Sequence, residues 1–328
     1  MDRNISFQRA ALREKNRLVK FTINLMKWLL IIGLSYIIIY PIIQLLVPSL
    51  TYITEVDDPA IIWIPSHPTL KTFVAAWQLT SYLSTIGITF LYVSGIVLLQ
   101  TFVSSIVGFG FARFNFPGKK ILTVILLFSI AVPYFAIELS TRYHFTNFDI
   151  LGLVKLFNHG QTLNLLNKPI VYLLINMTGV GLKGGLFIYI FMKFYSNIPE
   201  EIEESAIIDG ASYFRVYWNI ILPNAKPAII TCVVLAFVWN YGDYQNSFLF
   251  NNNMQLIGNV LIRNVKGNQY IGTFAQRVYQ IPGSSITVTM FGAVRDAAIL
   301  LFMLPLIIFY LIVQKQFVES FERSGLVG

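Results

Sequence analysis

The chain alternates long apolar runs with shorter polar segments, and six of the runs approach the length of a membrane crossing. A helix needs about 20 apolar residues to cross the hydrocarbon core of a bilayer. The pattern therefore predicts an all-α membrane protein with six transmembrane helices. The predicted spans are Trp28 to Val47, Ile86 to Ala112, Ile121 to Ile137, Ile170 to Met192, Ala228 to Gly242 and Ala297 to Val313.

The composition agrees with a protein that lies in lipid. Hydrophobic residues make up 55% of the 328 residues and charged residues only 12%, whereas a soluble domain carries about 25% charged residues. The net charge of +8 could indicate a nucleic-acid partner, but seven of the 24 basic residues precede residue 28 and flank the first span. The one cysteine, Cys232, excludes an intrachain disulfide and a cysteine metal cluster.

The distribution of lysine and arginine predicts that both termini lie in the cytoplasm. With that orientation the cytoplasmic segments hold 15 basic residues and the outside segments hold seven. Basic residues favour the cytoplasmic side of a membrane protein. Residues 1–27 then form a basic cytoplasmic tail, and residues 28–328 form the transmembrane domain.

A polar segment interrupts the apolar pattern between the fourth and fifth spans, on the predicted cytoplasmic side. It runs from Pro199 to Pro227, and we call it the polar segment. Its opening proline and the four glutamates behind it favour a helix start, because acids stabilise the positive end of the helix dipole. Ile202, Ala206 and Ile207 recur at helical spacing, so we expect this face to pack while the glutamates stay in water.

Two kinds of helix breaker divide the polar segment. Gly210 is predicted to end the first helix, and Ser212 is predicted to cap a second helix, Tyr213 to Ile220. Pro223 and Pro227 are expected to stop the second helix before the next span. Two short helices at an angle suit docking to a partner protein.

Part of the polar segment, ESAIIDGASYFRVYWNIILP, resembles the EAA motif of permease subunits of binding-protein-dependent ABC importers. The spacing of the motif is intact, and Ser205 in place of the first alanine is the one small departure. The stretches FGFARFNFPGKK, IPEEIEE, WN and LPLIIFYLIVQKQFV resemble the carbohydrate class, in particular the smaller maltose-type permease. The resemblance covers about residues 86–320, whereas the final ERSGLVG departs from the glycine-rich tail that the family often carries.

The resemblance implies a type I (MetI-like) ABC importer permease in the cell (inner or cytoplasmic) membrane. Such a chain forms half of the translocation pathway for a sugar or oligosaccharide delivered by an extracytoplasmic binding protein. It is not an enzyme and holds no cofactor or metal, because the partner ATPases bind ATP and Mg and drive alternating access. The implied partners are a second homologous permease subunit, an ATP-binding-cassette ATPase dimer, the solute-binding protein and membrane lipid, with no nucleic acid.

The resemblance also implies that the polar segment forms the coupling helix, which docks into a groove of the ATPase. Small residues such as Ala206 and Gly210 would allow close backbone approach, and Glu204 would pair with a basic residue of the partner. The residues assigned to ATPase coupling are Glu203, Glu204, Ser205, Ala206, Asp209, Gly210, Ala211, Ile220, Leu222 and Pro223.

A second set of residues is a candidate for the solute path. Lys183 lies within the predicted fourth span, where a charge is costly and is commonly functional, and snorkelling or a structural ion pair is the alternative. Aromatic residues near the fifth span could stack on sugar rings, although aromatics at these depths are also interface anchors or core. The candidates are Lys183, Trp239, Asn240, Tyr241 and Tyr244.

Other functions have weaker support in the sequence. GVGLKG fits a dinucleotide fingerprint only formally, because it neither follows a strand nor opens a βαβ unit. No phosphate-binding GxxxxGK[ST] loop occurs, and the three histidines lie far apart in outside loops. An ABC importer for a solute other than sugar, a polytopic membrane enzyme and a secondary transporter remain the alternatives.

Overall fold

The computed structural model of the chain describes residues 2–133, 135–243, 253–265, 268–282 and 287–323. In these ranges the backbone consists of helices joined by turns and short connections. A 3-10 turn covers Ile53–Glu55, and a π-helical turn covers Tyr217–Ile221. The α-helices are α1 Asp2–Leu50, α2 Lys71–Thr80, α3 Tyr82–Arg113, α4 Lys119–Ala131, α5 Phe135–Thr146, α6 Leu153–Phe157, α7 Ile170–Met177, α8 Gly184–Ser196, α9 Glu201–Ile208, α10 Tyr213–Val216, α11 Leu222–Asn224, α12 Lys226–Gly242, α13 Ile257–Val265, α14 Asn268–Tyr279 and α15 Val288–Arg323.

One compact unit combines Met1–Ala76 with Ile271–Leu300. Its longest helix, α1, is apolar and mostly exposed from residue 19 to residue 46, as a helix surrounded by lipid should be. The connection after α1 is fixed to α14, because Thr72 hydrogen-bonds the hydroxyl of Tyr279 and the Tyr279 ring meets Tyr52 edge-on at 5.6 Å. The Lys71 ammonium lies over both of these rings.

The second compact unit combines Trp77–Tyr270 with Leu301–Gly328. Helix α3 packs against α7, α8, α12 and α13 and is the central support of this unit. The close approach of α3 and α8 requires Gly108, because a Cβ added there would lie 2.6 Å from the Cβ of Phe191. Polar side chains also connect the helices: Asn240 donates a hydrogen bond to Gln100 at 3.0 Å, and Gln100 donates to the Leu182 carbonyl at 2.7 Å.

The described ranges contain fewer straight helices of membrane-spanning length than the six crossings that the apolar pattern predicts. Three helices are long and apolar enough to span a bilayer by themselves, and the number rises to five if two bent helix pairs each count as one span. The three are Val19–Leu50, Tyr82–Arg113 and Val288–Glu319. They contain the predicted first, second and sixth spans and extend beyond the predicted ends.

The predicted third span is shorter than its apolar run. Helix α4 ends at Ala131, and the chain bends by 105° before Ala136–Thr146. The break coincides with Pro133, whose ring disfavours a helical backbone at the preceding residue. Val132 accordingly has an extended conformation, with φ −70° and ψ 121°. The apolar run to Ile137 is therefore not one straight helix.

The predicted fourth span is also broken. Helix α7 ends at Met177 and α8 begins at Gly184, so Ile170 to Met192 does not form a continuous helix. Gly179 has a φ of +74° in the connection, and a Cβ added to Gly184 would lie 2.2 Å from the Gly179 carbonyl oxygen. The glycines thus permit a tight connection that a helical pattern alone does not predict.

Candidate coupling site

The polar segment folds as two short helices around a glycine turn. Helix α9 ends in a pair of hydrogen bonds, from Ala211 N to the Ala206 carbonyl and from Gly210 N to the Ile207 carbonyl, each 2.9 Å. This pairing is the Schellman arrangement, which places a left-handed residue directly after the helix cap. Gly210 has a φ of +85°, and the predicted turn is confirmed.

The second helix starts as predicted and ends later. The Ser212 side chain accepts a hydrogen bond from Arg215 N, so the predicted cap is confirmed. The helix does not stop at Pro223, because this residue lies in the first turn of α11, where the missing N–H removes no helical bond. The chain instead breaks at Ala225 and bends by 74° into α12, which carries Pro227 in its first turn.

The face of α9 that packs is not the predicted apolar face. Glu203 is buried, whereas Ile202 and Ile207 are exposed. Our expectation that all the glutamates stay in water and the isoleucines pack was therefore wrong. The physical reason is a cation beneath the helix, because a buried basic side chain needs an anion within reach. The neighbouring Glu204 remains exposed.

The cation is Arg113, the last residue of α3. Its side chain is 6% exposed and that of Glu203 is 8% exposed, and Arg113 Nε donates to the Glu203 carboxylate. Arg113 Nη2 also donates to the Ile198 carbonyl at 2.7 Å, and Nη1 lies 3.8 Å from the carboxylate of the exposed Glu200. The sequence alone does not indicate this contact, because Arg113 counts there only among the basic residues of the predicted cytoplasmic side.

A buried hydroxyl cluster joins the second half of the polar segment to the same helix. The Ser105 hydroxyl lies 2.6 Å from the Tyr195 hydroxyl and 2.8 Å from the Tyr217 hydroxyl. These residues belong to α3, α8 and the π turn, and all three are buried. One signal in the sequence could have indicated that α3 contacts the polar segment. Ser105 and Arg113 are polar residues about two turns apart on one face of an apolar helix.

Several large apolar side chains of the polar segment are exposed. Ile208 is 85% exposed and Phe214 is 73% exposed, which is unusual for side chains of this size in an otherwise charged segment. Exposed apolar side chains bordered by polar ones are typical of a protein-interaction surface. The exposed apolar residues of the segment are Ile202, Ile207, Ile208, Tyr213, Phe214 and Trp218.

The residues assigned to coupling by resemblance have different environments. The structure brings all of them together in one segment. Glu203 is buried, and four of the residues are half-buried: Ala206, Ala211, Ile220 and Leu222. The remaining residues are exposed: Glu204, Ser205, Asp209, Gly210 and Pro223.

The candidate solute-path residues do not come together in one open surface. Lys183 is exposed beside α8 with a φ of +58° and lines an open pocket of about 300 Å³ between α4 and the glycine connection. Trp239 packs on Phe187, with ring centroids 5.6 Å apart. Asn240 and Tyr241 are buried between helices, where the Tyr241 hydroxyl donates to the Phe302 carbonyl. Tyr244 lies outside the described residues.

In the ranges that the structure describes, no group of three or more histidine, cysteine, aspartate or glutamate residues could hold a metal ion. The membrane-length helices define a membrane-embedded protein, and the exposed apolar side chains give its polar segment the character of an interaction surface.

Comparison with known families gives this class a more specific identity. The family described as the binding-protein-dependent transport system inner membrane component matches residues 100–323, well over half of the chain. The chain belongs to this family. It is the permease component of an ABC importer and not an enzyme, and importers of this kind work with an ATPase and a binding protein. The family resemblance seen in the sequence is confirmed.

The relatives are similar to this chain over nearly their whole length. The galactooligosaccharides transport system permease protein GanQ of Bacillus subtilis (strain 168) is 25% identical over 315 residues, which cover 93% of this chain and 95% of GanQ. The maltodextrin transport system permease protein MalD of Streptococcus pneumoniae is 24% identical and covers 91% of this chain and 93% of its own length. The trehalose/maltose transport system permease protein MalG of Thermococcus litoralis is 24% identical, and the match covers 92% of this chain and 96% of MalG.

A solved structure has the same fold. It is a bacterial ABC transporter involved in the import of the acidic polysaccharide alginate, and one of its chains superimposes with a TM-score of 0.61. The match covers 89% of this chain and 95% of that chain at 19% sequence identity. This similarity confirms an all-helical importer permease fold.

Proposed function

We propose that this permease subunit forms half of the translocation pathway for a sugar or oligosaccharide. The observation that carries the solute class is the similarity to three transport-system permeases, for galactooligosaccharides, maltodextrin and trehalose/maltose. Each of them matches more than nine-tenths of this chain. A second, homologous permease subunit supplies the other half. The solute reaches the pair from an extracytoplasmic binding protein.

The polar segment is the coupling segment in this proposal. Its exposed apolar residues and Glu204 bind a groove of an ATPase subunit, and closure of the ATPase dimer moves the segment. ATP and Mg are bound by the ATPase dimer, so this chain needs no cofactor of its own. The support is the motif spacing from Glu204 to Pro223 together with the exposure of Ile208 and Phe214.

The topology follows from the same proposal. Both termini and the polar segment lie in the cytoplasm, residues 1–27 are a basic tail, and residues 28–328 cross the lipid bilayer six times. The excess of basic residues in the predicted cytoplasmic segments supports this orientation. The broken helices α4 to α5 and α7 to α8 would then supply the crossings that are not single straight helices.

Reconstituted transport tests the proposed function. The complete complex of both permeases, the ATPase dimer and the binding protein is placed in vesicles and supplied with labelled maltose, trehalose, a galactooligosaccharide and an amino-acid mixture. We expect ATP-dependent uptake of one or more of the saccharides and none of the amino acids. Uptake of amino acids alone would contradict the sugar assignment and leave the permease assignment intact.

A further inference from the structure

Three residues of α3 share one face of that helix and meet the polar segment. Ser105, Phe109 and Arg113 are spaced four residues apart, which aligns them along the helix axis. All three side chains are buried. We call these residues the α3 stripe.

The first contact of the stripe holds the beginning of the polar segment. The Arg113 guanidinium donates to the Glu203 carboxylate and, through a different nitrogen, to the Ile198 carbonyl. Ile198 lies just before the polar segment and Glu203 lies in the first turn of α9. Because a planar guanidinium bonded at two nitrogens cannot rotate freely, this contact fixes the direction of α9 as well as its position.

The second contact of the stripe holds the later part of the polar segment. Ser105 hydrogen-bonds the Tyr217 hydroxyl, and the Phe109 ring lies 5.1 Å from the Tyr217 ring. Tyr217 opens the π turn, a helical irregularity that is often found at functional positions. Both halves of the polar segment are therefore attached to one helix, one on each side of the turn at Gly210.

We propose that the α3 stripe is the rigid joint through which movement of the polar segment reaches the membrane helices. The Arg113–Glu203 ion pair is its charged part, and both residues are positioning residues. Helix α3 is suited to receive the movement, since it packs on α7, α8, α12 and α13. This inference rests on the proposed coupling function of the polar segment.

The burial of the ion pair favours a geometric role over a purely stabilising one. Removing two charges from water costs about as much free energy as their attraction returns, so apolar residues of similar volume commonly stabilise a protein equally well. Apolar contacts, however, do not fix the direction of α9. A joint that transmits a movement without slipping needs the directional bonds that Arg113 makes to Glu203 and Ile198.

The test measures how much solute enters per ATP hydrolysed. Complexes carrying Arg113→Gln, Glu203→Gln or the exchanged pair Arg113→Glu with Glu203→Arg are reconstituted in vesicles, with the labelled saccharide that wild type takes up best as the probe. Lys120→Gln is the matched control, because it removes an exposed positive charge from the first turn of α4, the helix that follows α3. The amount of ATPase subunit that co-purifies is measured for every variant.

We expect both single variants to retain the ATPase subunit and ATP hydrolysis while uptake per ATP falls about tenfold. The exchanged pair should recover part of the loss, and Lys120→Gln should match wild type. Wild-type uptake per ATP in both single variants would overturn the joint. Loss of the ATPase subunit itself from these variants would also overturn it, because the pair would then act in docking.

Milder variants decide the question if the charge variants do not accumulate in the membrane. Ser105→Ala and Tyr217→Phe each remove one hydroxyl from the hydroxyl cluster with little change in volume. We expect each to lower uptake per ATP about threefold, and an unchanged ratio in both would overturn the proposal. Phe214→Asp is measured in parallel and tests the proposed function separately, because its predicted effect is loss of the ATPase subunit.

Discussion

Gly210 is the residue whose backbone conformation bears most directly on the proposed coupling function. Its φ of +85° is open to glycine, and no atom lies within 4 Å of the position that a Cβ would occupy. A side chain at this position therefore costs free energy through backbone strain and not through crowding. The cost is about 1–2 kcal/mol for an ordinary residue and more for a β-branched one. We expect Gly210→Val to abolish solute uptake and Gly210→Ala to reduce it, with normal assembly and binding-protein docking, measured as uptake alongside ATP hydrolysis.

Gly118 offers a matched control for this prediction. It has a φ of +84° and equally open surroundings, but it lies between α3 and α4, outside the polar segment. Gly118→Val should cost similar stability and leave uptake per ATP unchanged. Wild-type uptake by Gly210→Val would remove the turn from the coupling mechanism.

The neighbours Glu203 and Glu204 provide a second prediction at the residue scale. Glu204 is exposed and free to meet a basic residue of the ATPase, whereas Glu203 is buried against Arg113. We expect Glu204→Lys to weaken ATPase association by on the order of 2–5 kcal/mol where the contact is desolvated. The measurement is the affinity of the detergent-solubilised permease pair for the ATPase. Equal affinity of Glu204→Lys and wild type would exclude Glu204 from the docking surface.

At the scale of elements, the contact of α3 with α8 determines how firmly the second unit holds together. Gly108 sits where these helices approach, and an added methyl group would meet Phe191 Cβ at 2.6 Å and Met192 N at 2.9 Å. We expect Gly108→Ala to lower the free energy of unfolding by about 1–3 kcal/mol through overpacking. The measurement is the thermal unfolding of the purified subunit in detergent.

Gly95 of the same helix is the control. No atom lies within 4 Å of its Cβ position, so Gly95→Ala should gain up to about 1 kcal/mol from the higher helix propensity of alanine. The two substitutions make the same chemical change and should move the unfolding temperature in opposite directions. A decrease of similar size in both would mean that the close contact at Gly108 is not what limits substitution.

Local features of the polar segment could be predicted from the sequence, whereas its packing could not. The cap at Ser212 and the end of the first helix at Gly210 depend on neighbouring residues, and the sequence predicts both. The burial of Glu203 depends on Arg113, which lies 90 residues earlier. Helical periodicity places apolar residues toward a core, and it contains no information about a distant cation that reverses the orientation of a helix.

The broken spans show a similar limit. A run of apolar residues predicts burial in lipid, but it does not distinguish a straight helix from two shorter ones. Pro133 and the glycines at 179, 181 and 184 were visible in the sequence, yet transmembrane helices also tolerate proline and glycine within their length. Whether such a residue bends a helix depends on the contacts that replace the lost hydrogen bonds.

At the scale of the whole molecule, a permease chain converts the movement of a partner into the rearrangement of membrane helices. The chain belongs to a family of such inner-membrane components. We propose that the exposed apolar residues of the polar segment receive the movement of the ATPase. The α3 stripe then passes this movement to the membrane helices. In this proposal the output is the displacement of the helices packed around α3.

The most direct test of this account is the amount of ATPase subunit that remains bound to purified permease carrying Phe214→Asp. Phe157→Asp is the control, because Phe157 is also a phenylalanine on a short helix, with 83% exposure against 73% for Phe214. Our topology places these two residues on opposite sides of the membrane. We expect Phe214→Asp to lose the ATPase subunit and Phe157→Asp to retain it in full. Full retention by Phe214→Asp would contradict the coupling role of the polar segment.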